Sequence, residues 1–189
     1  MNKRFTVVLL FFALGTSVEC LHAQSETPLL DLYGGYDYVR FNVNARVPGF
    51  PASSSYNGNG GGGQLEYNVD RWLGVVGDVS GYGIPTIGAT AVGMSYMFGP
   101  RVNLRERKVT PFAQTLFGGL LASNGVGVGG TQNHFAMTAG GGLDVSVSRY
   151  VAVRPIQAEY FMTRYPDGLD NRQNNFRYSA GVILHVGSR

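Results

Sequence analysis

The chain has 189 residues, of which 14% are charged and 28 are glycine, and its formal net charge is +3. An ordinary soluble domain has about 25% charged residues and about 7% glycine. So small and scattered a positive charge excludes a nucleic-acid-binding surface, and the length suits one domain.

The first segment has the layout of a secretory signal peptide. Two basic residues precede an apolar run over residues 5–18, and the small residue Ala23 stands at a cleavage position. The run is too short to span a bilayer as a helix. We therefore predict a signal peptide over residues 1–23 and a mature domain over residues 24–189. Cys20, the only cysteine, would leave with the leader, so the mature chain would hold neither a disulfide nor a thiolate site.

The rest of the sequence alternates between apolar and polar residues in separate segments. Successive side chains on a strand point to opposite faces, so each segment predicts a strand with one apolar face and one small, polar face. Segment 110–123 is apolar on both parities, which leaves its facing open. We predict eight strands, near residues 30–41, 64–69, 73–80, 89–98, 110–123, 134–148, 151–165 and 176–186.

The connections between these segments differ in length. A stretch rich in Asn, Ser, Pro and Gly over residues 42–60 predicts a long first loop, with the glycine tract 60–63 at its end. Tight turns are predicted at Asn68–Trp72 and Ser148–Tyr150, and a basic turn of moderate length at Gly99–Val109. Long loops at one end and mostly short turns at the other are typical of an up-and-down outer-membrane barrel.

Two all-β architectures fit the alternation: a soluble sandwich with the apolar faces inside, or a membrane barrel with them outside. Aromatic residues cluster near the segment ends, where interfacial girdles belong, and the polar parity is rich in Gly, Ala and Ser and lacks lysine. A water-facing sheet normally has long charged side chains, whereas a narrow lumen needs small ones. The sequence therefore favours an eight-stranded antiparallel up-and-down transmembrane β-barrel, closed by pairing between segments 30–41 and 176–186.

Charged residues on the inward parity predict a polar network inside the barrel. Its expected members are Glu66, Asp78, Asp144, Glu159 and Arg177. Pro155 cannot donate to a strand ladder, so we expect a bulge there that lets Arg154 and Glu159, which differ in parity, both point inward. Because buried charges are costly unless paired, we expect ion pairs, an excess of carboxylates over arginines, and hydrogen bonds to the hydroxyls of Tyr33, Ser80, Thr138 and Ser179.

The sequence predicts no catalytic, cofactor or metal site. His134 and His185 would lie at opposite ends of the barrel, too far apart to share a metal. A serine–histidine–acid site would require a serine beside a histidine, and neither histidine has one in the strand pattern. The carboxylates could form an acid–base pair, but a structural network with Arg177 is the favoured interpretation. The sequence GVGVGG at 125–130 precedes a strand rather than a helix, so it does not predict a phosphate site.

Three stretches resemble a known family. They are LLDLYGGYDYVRFN at 29–42, GGGLDVSVSRYVAVRPIQAEY at 140–160 and FRYSAGVILHV at 176–186. Together they are similar to the OmpA-like, opacity-type β-barrel domain of Gram-negative outer membranes. The resemblance implies an outer-membrane location, with membrane lipid, lipopolysaccharide and the barrel assembly machinery as partners. The sequence departs from the family in ending without a terminal aromatic residue, and we expect no cell-wall tethering domain after the barrel.

Three functions are compatible with such a barrel. The first is a small non-enzymatic outer-membrane protein that contributes to envelope integrity or presents its loops outside the cell. The second is an enzyme of the lipid A-modifying type, and the third is a narrow channel. The missing serine–histidine–acid pattern disfavours the enzyme, and eight strands leave a lumen only wide enough for side chains, which disfavours the channel.

Overall fold

The computed structural model describes residues 27–43, 54–86, 89–123, 132–164 and 172–188. The predicted signal peptide, residues 44–53 of the predicted first loop and the 125–130 sequence lie outside these ranges. Within them, no helix is both long and apolar enough to serve as a membrane span. The described strands are β1 (Pro28–Val43), β2 (Ser54–Asn68), β3 (Leu73–Thr86), β4 (Ala89–Asn103), β5 (Val109–Ser123), β6 (Gln132–Ser146), β7 (Val151–Thr163) and β8 (Gln173–Ser188).

The eight strands form one closed antiparallel barrel in chain order. Each strand pairs with the next, and β8 returns to pair with β1 from Arg40–Phe176 to Pro28–Ser188. Closure pairs both edges of every described strand, so backbone groups find partners within the barrel itself. The predicted fold and its closing strand pair are confirmed.

The two ends of the barrel differ in their connections. Residues 69–72, 104–108 and 147–150 form tight turns at the end where Pro28 and Ser188 also lie, and we call this the short-turn end. The opposite end, which we call the loop end, is defined by the described strand ends Val43, Ser54, Thr86, Ala89, Ser123, Gln132, Thr163 and Gln173.

One predicted turn is wrong in its bounds. Strand β4 continues beyond Gly99 as far as Asn103, which pairs with Phe112 of β5, so the turn itself covers only residues 104–108. The strand extends because Arg101 and Asn103 still point into the lumen, where both find hydrogen-bond partners.

Alternation along the strands separates the two surfaces of the barrel. Apolar side chains such as Leu65, Val79 and Val182 lie outside and are nearly half exposed, whereas Val76 lies inside and is buried. In segment 110–123, whose facing the sequence left open, five described side chains point inward: Thr110, Phe112, Gln114, Leu116 and Leu120. The core of the protein is therefore the inside of the barrel.

The sequence predicted the glycine tract as the end of a loop, but in the structure the tract is part of a strand. Gly60–Gly63 lies within β2 and pairs with β1 on one side and β3 on the other. A Cβ atom at the inward position Gly62 would overlap Asp37 Oδ2 and Ser80 Oγ. Glycine is therefore needed at position 62, where a narrow lumen already holds the side chains of neighbouring strands.

The predicted irregularity in β7 is confirmed. The register between β7 and β8 shifts between Arg154 and Gln157, on either side of Pro155. A second shift, between Leu143 and Val145, interrupts the pairing of β6 with β7 at the same level. As a result Arg154 and Glu159 are both buried inside the barrel despite their opposite parities.

The two faces of the barrel give a matched test of the role of glycine. Gly62→Val should lower the free energy of unfolding by about 1–3 kcal/mol, because an added side chain overpacks a filled interior. The control is Gly77→Val in β3, since a Cβ at Gly77 meets no atom within 4 Å. Urea unfolding in detergent micelles measures the free energy of unfolding of both variants. Equal stability of the two would contradict the packing argument.

Candidate functional site

The centre of the lumen is an arginine held between two carboxylates. Arg177 on β8 is fully buried. Its Nη1 lies 3.0 Å from Asp78 Oδ1 on β3, and its Nε donates to Glu159 Oε2 on β7 at 2.6 Å. The same Nη1 lies 3.3 Å from the Tyr82 hydroxyl. These contacts join three strands, and the bonds to Asp78 and Tyr82 cross the lumen rather than run along its wall.

A second buried arginine lies closer to the short-turn end. Arg101 Nη1 donates to Glu66 Oε2 at 2.7 Å, and Asn103 Nδ2 donates to the other oxygen of Glu66 at 2.6 Å. The sequence prediction missed Arg101 because it assigned residues 99–109 to a turn. Continuing the inward parity of β4 through Ser95 would have placed Arg101 inside.

A third buried arginine completes the set. Arg154 Nε and Nη2 donate to the two oxygens of Asp144 at 2.6 and 2.9 Å, which is a bidentate pair. Its Nη1 donates to Gln157 Oε1 at 2.8 Å. The bulge next to Pro155 makes this pair possible by turning Arg154 inward.

Two glutamines join the three arginine clusters into one network. Gln64 Oε1 accepts from both Arg101 and Arg154, at 2.8 and 2.7 Å, and Gln64 Nε2 donates to Asp78 at 2.9 Å. Gln114 accepts from Arg101 Nε at 2.8 Å and donates to Glu159 at 2.7 Å. An amide can accept at one end and donate at the other, so it can link an arginine to a carboxylate.

Aromatic rings also stabilise the buried cations. Phe112 lies between two guanidinium groups, with the Cζ of Arg101 4.0 Å and that of Arg154 4.4 Å from its ring centre. The Arg154 guanidinium also lies 4.6 Å from the Tyr33 ring centre. Such contacts attract a cation to the ring face and separate two like charges.

The five residues predicted for the network all lie on the inner side of the barrel. Glu66, Asp78, Glu159 and Arg177 are buried, and Asp144 is half-buried. Asp31 and Asp37 are buried carboxylates as well. The inward carboxylates therefore outnumber the inward arginines, as predicted, even when Arg101 is counted among the arginines.

The predicted hydroxyl partners are found only in part. Within the described residues, the buried hydroxyls of Tyr33 and Thr138 have no hydrogen-bond partner, whereas the Ser179 hydroxyl bonds to the Asp37 carboxylate and the Ser80 hydroxyl lies next to it. Around the three arginines, glutamine and asparagine amides are the neutral partners, because these longer side chains reach the middle of the lumen.

The short-turn end holds a smaller polar cluster that the sequence did not predict. His185 Nδ1 lies 2.6 Å from Asp31 Oδ1, and Arg105 Nη2 lies 3.2 Å from Asp31 Oδ2. Asn68 Nδ2 donates to the same oxygen at 2.9 Å. The aspartate–histidine pair depends on the register of β1 against β8, in which Asp31 and His185 are direct partners.

The two histidines are not brought together. His134 belongs to β6 and pairs with Leu120 of β5, in the half of the barrel towards the loop end. Among the described residues, no group of three or more His, Cys, Asp or Glu side chains could hold a metal ion.

An apolar layer lies between the network and the loop end. The rings of Phe41, Tyr82 and Phe161, from three different strands, meet with centroids 6.1–6.5 Å apart. Val39, Leu116 and Leu120 pack in the same cluster. Ion pairs and aromatic rings therefore fill successive levels of the lumen.

Solved structures share this architecture. A Neisserial surface protein A (NspA) superposes with a TM-score of 0.64 at 16% identity, covering 82% of this chain and 96% of that one. The Pseudomonas aeruginosa outer membrane protein OprG and the N-terminal β-barrel domain of OprF from the same organism each give a TM-score of 0.54 at 9% identity. They cover 86% and 83% of this chain and 98% and 97% of their own. No family model matches the sequence, and no curated protein matches it significantly. The chain thus shares the fold of these solved outer-membrane barrels.

Removing the central arginine tests the network. Arg177→Met should lower the free energy of unfolding by about 3–5 kcal/mol, because it leaves Asp78 and Glu159 buried without their cation. Adding Asp78→Asn and Glu159→Gln to that variant should restore most of the loss, since no buried charge then lacks a partner. Urea unfolding of the two variants beside the exposed-residue control Arg71→Ala measures both effects. A triple variant no more stable than Arg177→Met would contradict the charge argument.

Proposed function

We propose that the chain is a small, non-enzymatic outer-membrane barrel that contributes to envelope integrity and presents its longer connections at the cell surface. The observation that supports this most directly is a closed barrel with an apolar outer surface and a lumen filled by paired charges and aromatic rings. Such a barrel is suited to holding its ends in place across a membrane rather than to transport.

Polar partners of outward tyrosines support a membrane position. Near the loop end, Tyr38 donates to Asn57 at 2.9 Å and Asn133 donates to the Tyr96 hydroxyl at 2.7 Å. Tyrosine with a bonded hydroxyl suits the boundary between hydrocarbon and headgroups. At the short-turn end, the exposed Trp72 in its turn suits the second boundary. The apolar band between these levels is the part we place in lipid.

Several further features of the proposal rest on the sequence and on general barrel architecture. Outer-membrane barrels have short periplasmic turns and longer outer loops, so the short-turn end would face the periplasm. Export would use the signal peptide over residues 1–23. The partners we propose are outer-membrane lipid, lipopolysaccharide and the barrel assembly machinery.

The alternatives fit the geometry less well. The aspartate–histidine pair could orient a catalytic base, but Asp31 also accepts hydrogen bonds from Asn68 and Arg105, which make the pair part of a polar cluster. In the proposed orientation the pair would also lie at the end opposite the leaflet that holds lipid A. A channel would need a continuous path, whereas Arg177 and the Phe41–Tyr82–Phe161 rings occupy successive levels of the lumen.

A charge placed on the outer surface tests membrane insertion. Val182 is 47% exposed on the outward face of β8. Val182→Arg should destabilise the barrel in lipid vesicles by about 2–4 kcal/mol, since the charge would lie near the bilayer midplane. Leu104→Arg, in a short turn, is the matched control and should be nearly silent. Equal stability of the two variants in vesicles would contradict the assignment of the outer surface to lipid.

The proposed role is tested in cells that lack the protein. Restoring the native chain should relieve envelope stress, and Arg177→Met should restore less because its barrel is weaker. The purified native protein should show no steady single-channel current, and its absence should leave the mass of lipid A unchanged. A steady current, or a loss of lipid A modification on His185→Ala, would favour the channel or the enzyme instead.

A further inference from the structure

The lumen opens into a cavity at the short-turn end. This short-turn cavity has a volume of about 720 Å³ and is lined by the turns at 104–108 and 147–150 and by the adjoining ends of the strands. Cavities of about 300–1,000 Å³ are the usual size for small-molecule sites. The cavity is blind, because the arginine network and then the aromatic layer occupy the lumen beyond it.

The carboxylates at the floor of the cavity already have cationic partners. Asp31 contacts Arg105, Glu66 contacts Arg101, and Asp144 contacts Arg154. The floor is therefore close to neutral and would not itself attract a cation.

The rim of the cavity is basic. Arg107, Lys108 and Arg149 line it and are exposed, against the single exposed carboxylate Glu106 within the described lining. Low-dielectric walls focus the field of such a rim into the opening and raise the local concentration of anions. Guanidinium groups bind carboxylate and phosphate with paired hydrogen bonds, so the rim suits either group.

Backbone hydrogen bonds hold the rim in place. The Ser146 amide donates to the Lys108 carbonyl at 2.8 Å, which ties the two turns together. Within the second turn, the Ser148 hydroxyl accepts from the amides of Tyr150 and Val151 at 3.2 and 3.1 Å. The backbone that positions Lys108 and Arg149 is thus preorganised, which reduces the ordering cost of binding.

We propose that the short-turn cavity is a binding site for a small, soluble, polar molecule bearing at least two anionic groups, carboxylate or phosphate. The site lies at the end opposite the longer loops, on the side that the proposed topology assigns to the periplasm. Binding at this site would be a function separate from the structural role, because none of the cations at the rim of the cavity belongs to the arginine network of the lumen.

The test uses the folded full-length mature barrel in phosphatidylcholine nanodiscs, whose zwitterionic lipid does not compete as an anion. Tricarballylate and inorganic pyrophosphate are titrated separately, with sucrose as the neutral probe, and backbone amide shifts are followed by NMR. We expect saturable shifts at residues 104–108 and 146–150 with at least one anion and none with sucrose. The anion that binds more tightly identifies carboxylate or phosphate as the preferred group.

Charge-neutral variants separate a site from a general surface potential. Arg107→Gln combined with Lys108→Gln should weaken binding by about tenfold or more, since it removes two charged donors. Arg71→Gln is the matched control, because Arg71 lies in a turn at the same end but does not line the cavity. Shifts that do not saturate with either anion, equal binding of sucrose, or equal weakening by Arg71→Gln would overturn the proposal.

Discussion

Closure of the barrel through β1 and β8 is the constraint on which the other features depend. An open edge in a membrane would leave backbone groups without partners, so all eight strands must pair in a ring. A ring of eight strands encloses a space only as wide as the side chains within it. Each inward side chain must therefore be small or have a partner with which it pairs inside the lumen. The glycines at 62, 74 and 140 meet this condition beside Asp37, Glu66 and Glu159, because a Cβ at any of them would overlap the neighbouring charged side chain.

The buried charges also help to specify the register of the strands. Each ion pair of the lumen joins two different strands: Arg101 with Glu66, Arg154 with Asp144, and Arg177 with Asp78 and Glu159. A shift of one residue in any strand would turn its charged side chain to the apolar outer surface. Replacing a buried ion pair by apolar residues is often neutral or stabilising, so stability alone does not explain three arginines in one lumen. Selection against wrong registers is a role that apolar residues of the same volume could not fulfil.

The fold was predictable because alternation with a period of two follows directly from strand geometry, and Pro155 marked the bulge because it has no amide proton. Other features depended on information that no single segment contains. Gly99 followed by Pro100 is a strong turn signal, yet β4 continues to Asn103 because the lumen provides partners for Arg101 and Asn103. Gln64 and Gln114 are neutral and so gave no electrostatic signal, although they connect the arginine clusters. The Asp31–His185 pair required the residue-level register of β1 against β8.

The polar side chains of the described lumen are charged towards the short turns and neutral towards the loops, where the buried Thr163, Gln173 and Asn175 lie. The Phe41, Tyr82 and Phe161 rings form the layer between these two levels, and the Tyr82 hydroxyl contacts Arg177 on the charged side. Among the described residues, the strand ends at the loop end therefore hold no buried charged side chain. The short-turn end has the opposite character, since Arg105 and His185 bind Asp31 directly below the cavity. Beside this cluster, hydrogen bonds of residues 146–151 hold the backbone of the turn in place.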